Sequence, residues 1–68
     1  MANKILKSYR VLYGDTQTDL AEYLGISLAR YNLKENGSAK FTLEEAKKIS
    51  DRYGKKIEDI FFAETLHA

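Results

Sequence analysis

The segment from residue 16 to residue 37, TQTDLAEYLGISLARYNLKENG, constrains the fold most, because it predicts two short helices separated by a tight turn. Thr16 can cap the first helix, since its hydroxyl can accept a hydrogen bond from a first-turn backbone N–H. Gly25 can end that helix in the left-handed conformation. Ser27 can cap the second helix, which we expect to run to about Glu35. With so short a connection, the two helices have to pack at a steep angle.

Two helices in this arrangement form a helix-turn-helix, whose second helix can lie in the major groove of DNA. A wider pattern runs through the segment: Thr16-Gln17, Leu20-Ala21, Leu24-Gly25-Ile26-Ser27, Tyr31 and Glu35-Asn36-Gly37. In this pattern the chain resembles the lambda repressor/Cro-type helix-turn-helix family over about residues 4–62. It closely resembles the short phage-repressor-like regulators of Gram-positive bacteria, in which a Tyr-x-x-Lys-Glu-x-Gly segment and an Ile-x-x-Ile-Phe-Phe ending often occur. The resemblance implies an all-α, five-helix, lambda repressor-like DNA-binding domain.

The composition fits one small domain covering residues 1–68, with its helix-turn-helix at 16–37. A domain of this size is marginally stable and is often helped by oligomerisation. The chain has no cysteine, which excludes a disulfide framework and a thiolate metal site. Its short apolar runs exclude a membrane span and a signal peptide, so we expect a cytoplasmic protein with no membrane partner. The net charge of +1 argues against a polycation that coats nucleic acid non-specifically.

Three further helices are predicted around the central pair. The first follows a possible cap at Asn3, ends near Gly14 and has one broad apolar face: Ile5, Leu6, Tyr9, Leu12 and Tyr13. The fourth begins with a capping box of Thr42 and Glu45 and has an apolar stripe that we expect to be buried: Leu43, Ala46, Ile49 and Tyr53. Phe41 is expected to fix the preceding loop to the core. A short fifth helix is predicted from Ile57, Ile60 and Phe61.

Several charged residues have more than one interpretation. Lys7 and Arg10 lie on the polar side of the first helix, which favours a solvated face, with phosphate contact beside the groove as the functional alternative. The stem of Lys34 can cover Tyr31 while its charge reaches solvent or phosphate. Glu35 matches a family position at which a glutamate commonly braces the domain, so the resemblance implies a structural role.

One strip of the third helix is expected to face DNA bases. Leu28, Ala29, Asn32 and Leu33 share this strip, because 28 and 32, and 29 and 33, are separated by four residues. We call these four residues the reading strip. Its apolar members can contact thymine methyl groups, and Asn32 has the bidentate geometry for adenine. Arg30 lies near the strip and could reach guanine or a phosphate. Contact of Leu28 and Leu33 with another protein is the alternative.

Phosphate contacts are expected at both ends of the helix-turn-helix. The resemblance implies that Gln17 hydrogen-bonds the DNA backbone and braces the reading helix, and that Asn36 and Lys40 form a second backbone contact. The complete set of predicted DNA-binding residues is Thr16, Gln17, Ser27, Leu28, Ala29, Arg30, Asn32, Leu33, Asn36 and Lys40.

The sequence contains no pattern typical of an enzyme. His67, the single histidine, has no partner at ligand spacing, so no metal site is predicted. The four glycines fall at predicted helix ends and turns and do not form a phosphate-binding loop. We therefore predict no catalytic residue, no cofactor and no small-molecule ligand.

The predicted function is sequence-specific DNA binding by a transcriptional regulator, a phage-like repressor that binds a palindromic operator as a homodimer. The dimer would place the reading strips in successive major grooves of double-stranded DNA, about 34 Å apart. We expect Phe61 and Phe62 to contribute to the dimer interface, because an aromatic residue beside the core-facing one points away from the core. A protein-interaction module that uses the same fold without specific DNA binding is the alternative, based on the apolar reading strip and the small net charge.

Overall fold

A computed structural model describes residues 3–62 and confirms, for these residues, the predicted all-α fold of five helices. These residues form α1 (Lys4–Leu12), α2 (Gln17–Leu24), α3 (Leu28–Glu35), α4 (Leu43–Tyr53) and α5 (Glu58–Phe62), of which α5 is a single π-helical turn. None of the helices in residues 3–62 is long and apolar enough to cross a membrane.

The helix-turn-helix is formed by α2 and α3, and its local signals act as predicted. Thr16 Oγ1 accepts a hydrogen bond from the N–H of Asp19 at 3.0 Å, and Asp19 Oδ2 accepts from the N–H of Thr16 at 2.8 Å, which completes a capping box. Ser27 Oγ accepts from the N–H of Arg30 at 3.1 Å. Gly25 ends α2 with φ +73°, a conformation that side chains rarely adopt. The turn is therefore fixed by short-range interactions.

The predicted cap of α1 is wrong, although Asn3 does precede the helix. Its side chain makes no capping hydrogen bond. Instead, Asn3 Nδ2 donates a hydrogen bond to the carbonyl oxygen of Lys34 at 2.9 Å. The backbone N–H of Asn3 donates to the carbonyl oxygen of Glu35, also at 2.9 Å. The beginning of α1 is thereby tied to the end of α3.

Within residues 3–62, an apolar core joins all five helices, and it contains these buried residues: Leu6, Leu20, Ala21, Leu24, Tyr31, Ile49, Tyr53 and Ile60. Phe41 packs against this core, as predicted. Its ring lies edge-on to those of Tyr31 and Phe61, with centroid distances of 6.1 and 5.3 Å.

Three residues assigned to apolar helix faces are exposed, and for Leu43, which was predicted to be buried, the prediction is wrong. Leu12 and Tyr13 are 74% and 53% exposed, and Leu43 is 77% exposed. Each lies at a helix end, where the helix extends beyond the residues that it packs against. Tyr13 nevertheless stacks on Tyr53, with 5.1 Å between ring centroids. Helical periodicity identifies the side of a helix that faces the core, but not how far the core extends along it.

Candidate nucleic-acid interface

The outer face of α3 carries the reading strip. Leu28 and Leu33 are each 48% exposed, and Ala29 and Asn32 are exposed as well. Tyr31, on the opposite side of the helix, is fully buried. Helical spacing thus leaves the strip free at the surface, as a groove-reading helix requires.

A chain of hydrogen bonds connects this exposed face with the interior of the domain. Gln17, the first residue of α2, donates from Nε2 to Glu35 Oε1 at 3.1 Å. Asn32 then donates from Nδ2 to Gln17 Oε1 at 3.2 Å. Gln17 is therefore positioned between a buried carboxylate and the polar member of the reading strip.

The direction of this chain determines which atoms of Asn32 remain free. A carboxylate only accepts hydrogen bonds, so Gln17 has to turn its NH₂ group towards Glu35 and its oxygen towards Asn32. Asn32 consequently uses one N–H on Gln17 and keeps Oδ1 and its other N–H. An acceptor and a donor on one amide are the groups needed to bind N6 and N7 of adenine.

Glu35 is held in place by what we call the inner cluster, which consists of Arg10, Tyr31 and Glu35. Arg10 donates from Nε to Glu35 Oε2 at 2.9 Å and from Nη2 to Oε1 at 3.1 Å. The Tyr31 hydroxyl donates to Oε2 at 2.6 Å. Burial by itself raises the pKa of Glu35, but hydrogen bonds from Arg10, Tyr31 and Gln17 outweigh burial and hold the pKa below its usual value. Glu35 therefore stays ionised, and its predicted structural role fits these contacts.

Both interpretations of Arg10, a solvated face and a phosphate contact, are wrong. Arg10 is 9% exposed, and its hydrogen bond with Glu35 raises its pKa despite partial desolvation. Its remaining guanidinium nitrogen, Nη1, donates to the carbonyl oxygen of Asp15 at 3.0 Å. The sequence did contain one indication of this contact. Glu35 was predicted to have a structural role, and a buried carboxylate requires a partner such as Arg10.

Lys34 also differs from the prediction, because its charge does not reach solvent or phosphate. Lys34 Nζ lies 2.5 Å from Glu45 Oε1, and the two side chains are 12% and 13% exposed. The ammonium group lies 5.9 Å from the centroid of the Phe41 ring. The lysine thus links α3 to the first turn of α4.

The other predicted phosphate contacts are exposed but partly engaged within the protein. The hydroxyl oxygens of Thr16 and Ser27 accept hydrogen bonds from their own helices, so each retains its O–H donor for a phosphate. Asn36 Oδ1 accepts from the N–H of Ser38 at 2.9 Å, which leaves its NH₂ group as a donor. Lys40 is exposed, and so is Arg30.

The residues predicted for a dimer interface are only partly described. Phe61 is half-buried against the core, and the side chain of Phe62 lies outside the described residues, as does His67. An open, mainly apolar groove of about 450 Å³ includes Phe41, Leu43, Ala46, Ile57 and Phe61 in its walls. Within residues 3–62, no group of three or more His, Cys, Asp or Glu side chains could hold a metal ion.

An exposed α3 beyond a tight turn, braced by the first residue of α2, defines the helix-turn-helix class of DNA-binding domains. The sequence profile described as "Helix-turn-helix" matches residues 6–60. An uncharacterized HTH-type transcriptional regulator of Methanocaldococcus jannaschii is 47% identical over 64 residues, covering 94% of this chain and 96% of the relative. No solved structure matches the chain. The chain belongs to the lambda repressor/Cro-type helix-turn-helix family of transcriptional regulators.

Proposed function

We propose that the protein represses transcription by binding a palindromic operator as a homodimer. Each subunit places α3 in a major groove, and the two half-sites lie about 34 Å apart on one side of the duplex. Bound protein then blocks access of RNA polymerase to the promoter. This mechanism uses no cofactor and no catalytic residue, and it operates in the cytoplasm.

The hydrogen-bond chain from Glu35 through Gln17 to Asn32 is the observation that carries the proposal. Its order leaves Asn32 with one acceptor and one donor at the surface, before any DNA is bound. A side chain oriented in advance loses less conformational freedom on binding, so more of its hydrogen-bond energy contributes to affinity. We assign Asn32 as the residue that reads adenine.

The remaining residues of the interface have simpler roles. Leu28, Ala29 and Leu33 contact thymine methyl groups, and Arg30 reaches guanine or a phosphate. Backbone phosphates are bound by the free donors of the flanking residues: Thr16, Gln17, Ser27, Asn36 and Lys40. Phe61 and Phe62 contribute to the contact between subunits.

Selection from random duplex oligonucleotides by the purified protein at two salt concentrations tests this function. We expect a palindrome containing an adenine position in each half-site, and binding that weakens steeply as salt rises, because bound lysines and arginines displace counterions. Asn32→Ala should relax the preference at the adenine position. Absence of enrichment at both salt concentrations would contradict specific DNA binding.

The second candidate function is a protein-interaction module, favoured by the 48% exposure of both Leu28 and Leu33. A contact made through these leucines would bury apolar area and respond weakly to salt. Leu28→Ser together with Leu33→Ser would then abolish partner binding, whereas Asn32→Ala would leave it unchanged.

A further inference from the structure

The last turn of α3 is completed by a residue from another part of the chain. The last four carbonyl groups of an α-helix have no partner within the helix. The first two of these carbonyls in α3 accept hydrogen bonds from backbone N–H groups of residues 36–39. The last two, those of Lys34 and Glu35, accept from the side-chain amide and the backbone N–H of Asn3, both at 2.9 Å. The end of α3 is therefore held in part by Asn3.

The 36–40 loop, whose first and last residues are proposed to bind DNA phosphates, starts at this same point. The carbonyl oxygen of Lys34 accepts a second hydrogen bond, at 3.3 Å, from the N–H of the second loop residue. Asn3 and the loop thus share one acceptor. Asn3 also lines two cavities, the apolar groove together with Lys40 and a polar cleft together with Asn36. Asn3 therefore lies next to both ends of the loop.

The position of Asn3 is set by α1. Its carbonyl oxygen accepts a hydrogen bond from the N–H of Lys7 at 3.0 Å, so the backbone of Asn3 belongs to the first turn of that helix. Leu6, in the same turn, is fully buried in the core. The contact also brings the positive end of one helix dipole to the negative end of another, which is favourable. Asn3 can therefore act as a fixed point for the end of α3.

We propose that Asn3 is a positioning residue for DNA binding, because it fixes the end of α3 and thereby holds the 36–40 loop in place for the DNA backbone. This inference rests on the proposed function. Asn3 itself contacts no phosphate and acts through the loop. A loop that is ordered before binding loses less conformational freedom on binding. Base reading by Asn32 does not depend on this contact, since Gln17 orients that side chain.

Asn3→Ser is the variant to test. Serine caps a helix as well as asparagine does, so α1 should persist, but its hydroxyl ends one bond short of the amide nitrogen that binds Lys34. With the selected palindrome as the duplex probe, affinity should fall about three- to tenfold per subunit, the usual effect of one side-chain hydrogen bond on an equilibrium constant. The slope of log affinity against log salt should also fall, because Lys40 then holds its phosphate less firmly. Base preference should stay unchanged.

Ser50→Ala is the matched control. Ser50 Oγ donates to the carbonyl oxygen of Lys55, just beyond the end of α4, and Ser50 is partly buried, as Asn3 is. The control thus loses the same kind of hydrogen bond at a helix end with no predicted DNA contact. It should keep the wild-type affinity and salt slope. An equal loss of affinity in Ser50→Ala would show that reduced stability alone weakens binding, and would overturn the proposal.

A double-mutant cycle shows whether Asn3 acts through the loop. Asn36→Ala with Lys40→Ala removes the proposed phosphate contacts of the loop. Adding Asn3→Ser to this pair should cause no further loss of affinity, because the contacts that Asn3 positions are already absent. Additive losses would mean that Asn3 acts independently of the loop, and the positioning role would be wrong.

Amide hydrogen exchange in the free protein measures the same contact without DNA. The N–H groups of Gly37 and Ala39, which donate to carbonyls at the end of α3, should exchange about three to ten times faster in Asn3→Ser and at the wild-type rate in Ser50→Ala. Reduced affinity with unchanged exchange would indicate that Asn3 contacts DNA directly and would overturn the proposal. Failure of the wild type to bind any duplex would refute the proposed function, and with it the role of Asn3 in DNA binding, whatever the exchange rates.

Discussion

Two clusters of hydrogen-bonded side chains, each with one carboxylate, one arginine and one tyrosine, connect parts of the chain that are distant in sequence. The two clusters differ in how deeply they are buried. The inner cluster joins α1 to α3. The outer cluster, which consists of Asp15, Arg52 and Tyr53, joins the segment before α2 to α4. Arg52 donates from Nε to Asp15 Oδ2 at 2.9 Å and from Nη2 to Oδ1 at 2.7 Å, and the Tyr53 hydroxyl donates to Oδ2 at 2.8 Å. In both clusters, a carboxylate receives two arginine nitrogens and one tyrosine hydroxyl.

The clusters differ in exposure and in what lies next to them. The side chains of Arg10 and Glu35 are 11% and 6% exposed, whereas those of Arg52 and Asp15 are 30% and 13% exposed. The guanidinium of Arg52 lies over the ring of Tyr23, 4.7 Å from its centroid. Only the inner cluster continues, through Gln17, to the reading strip. The same set of hydrogen bonds can therefore orient a binding residue in one place and fasten a helix in another.

Removing one partner from the inner cluster should have the largest effect. Arg10→Ala leaves the Glu35 carboxylate buried without its cation, which costs about 3–5 kcal/mol. A domain of this length has a total stability of about 3–10 kcal/mol, so the variant should be close to unfolding. Urea denaturation followed by circular dichroism measures the free energy of unfolding.

An apolar replacement of the whole inner cluster provides the control. Arg10→Met, Glu35→Leu and Tyr31→Phe together remove the charges and the hydroxyl, so most of the stability lost in Arg10→Ala should return. An exposed ion pair contributes less than about 1 kcal/mol to stability. If Arg10→Ala lowers the free energy of unfolding by less than that, the inner cluster does not differ energetically from an exposed pair, and the proposed difference between the two clusters is wrong.

The second prediction concerns the connection that only the inner cluster has. Gln17→Leu removes the amide that orients Asn32, so part of the discrimination at the adenine position should be lost. A good bidentate contact contributes about 1–3 kcal/mol to discrimination, which sets the upper limit of the effect. Binding to all single-base variants of the selected operator measures it. Glu35 retains its hydrogen bonds from Arg10 and Tyr31, so the fold should persist.

Arg52→Met in the outer cluster is the matched control for this experiment and should leave base preference unchanged. A uniform loss of affinity for every base in Gln17→Leu would mean that Gln17 acts through phosphate contact alone.

The sequence predicted those features that depend on neighbouring residues. The caps at Thr16, Ser27 and Thr42 involve partners three residues away, and the left-handed end of α2 depends on Gly25 itself. Helical spacing was also sufficient to place Leu28, Ala29, Asn32 and Leu33 together on the exposed side of α3. These interactions are complete within one or two helical turns, so no knowledge of the fold is needed.

Polar partners distant in the chain could not be predicted in this way. Arg10 and Glu35 are separated by 25 residues, and Arg52 and Asp15 by 37. An arginine on the polar side of a helix has the same local pattern whether it meets water or a carboxylate. Which of the two it meets depends on packing between helices. The resemblance implied that Gln17 braces the reading helix, but the sequence did not show that its partners are Asn32 and Glu35, which lie 15 and 18 residues away.

The smallest expected effect concerns the outer cluster and pH. The hydrogen bond from Arg52 holds the pKa of Asp15 below its usual value. Its stabilising contribution is therefore present above the unfolded-state pKa of about 3.9 and is lost as the pH falls through the lower folded-state value. Asp15→Asn should cost about 1 kcal/mol or less at pH 7, because the pair is partly exposed. Urea titrations from pH 7 to pH 2 should show this difference shrinking below about pH 4, as Asp15 of the wild type becomes protonated. A difference that grows on acidification would mean that the folded protein stabilises the neutral form of Asp15, and the two clusters would then differ in the sign of their pH dependence as well as in depth.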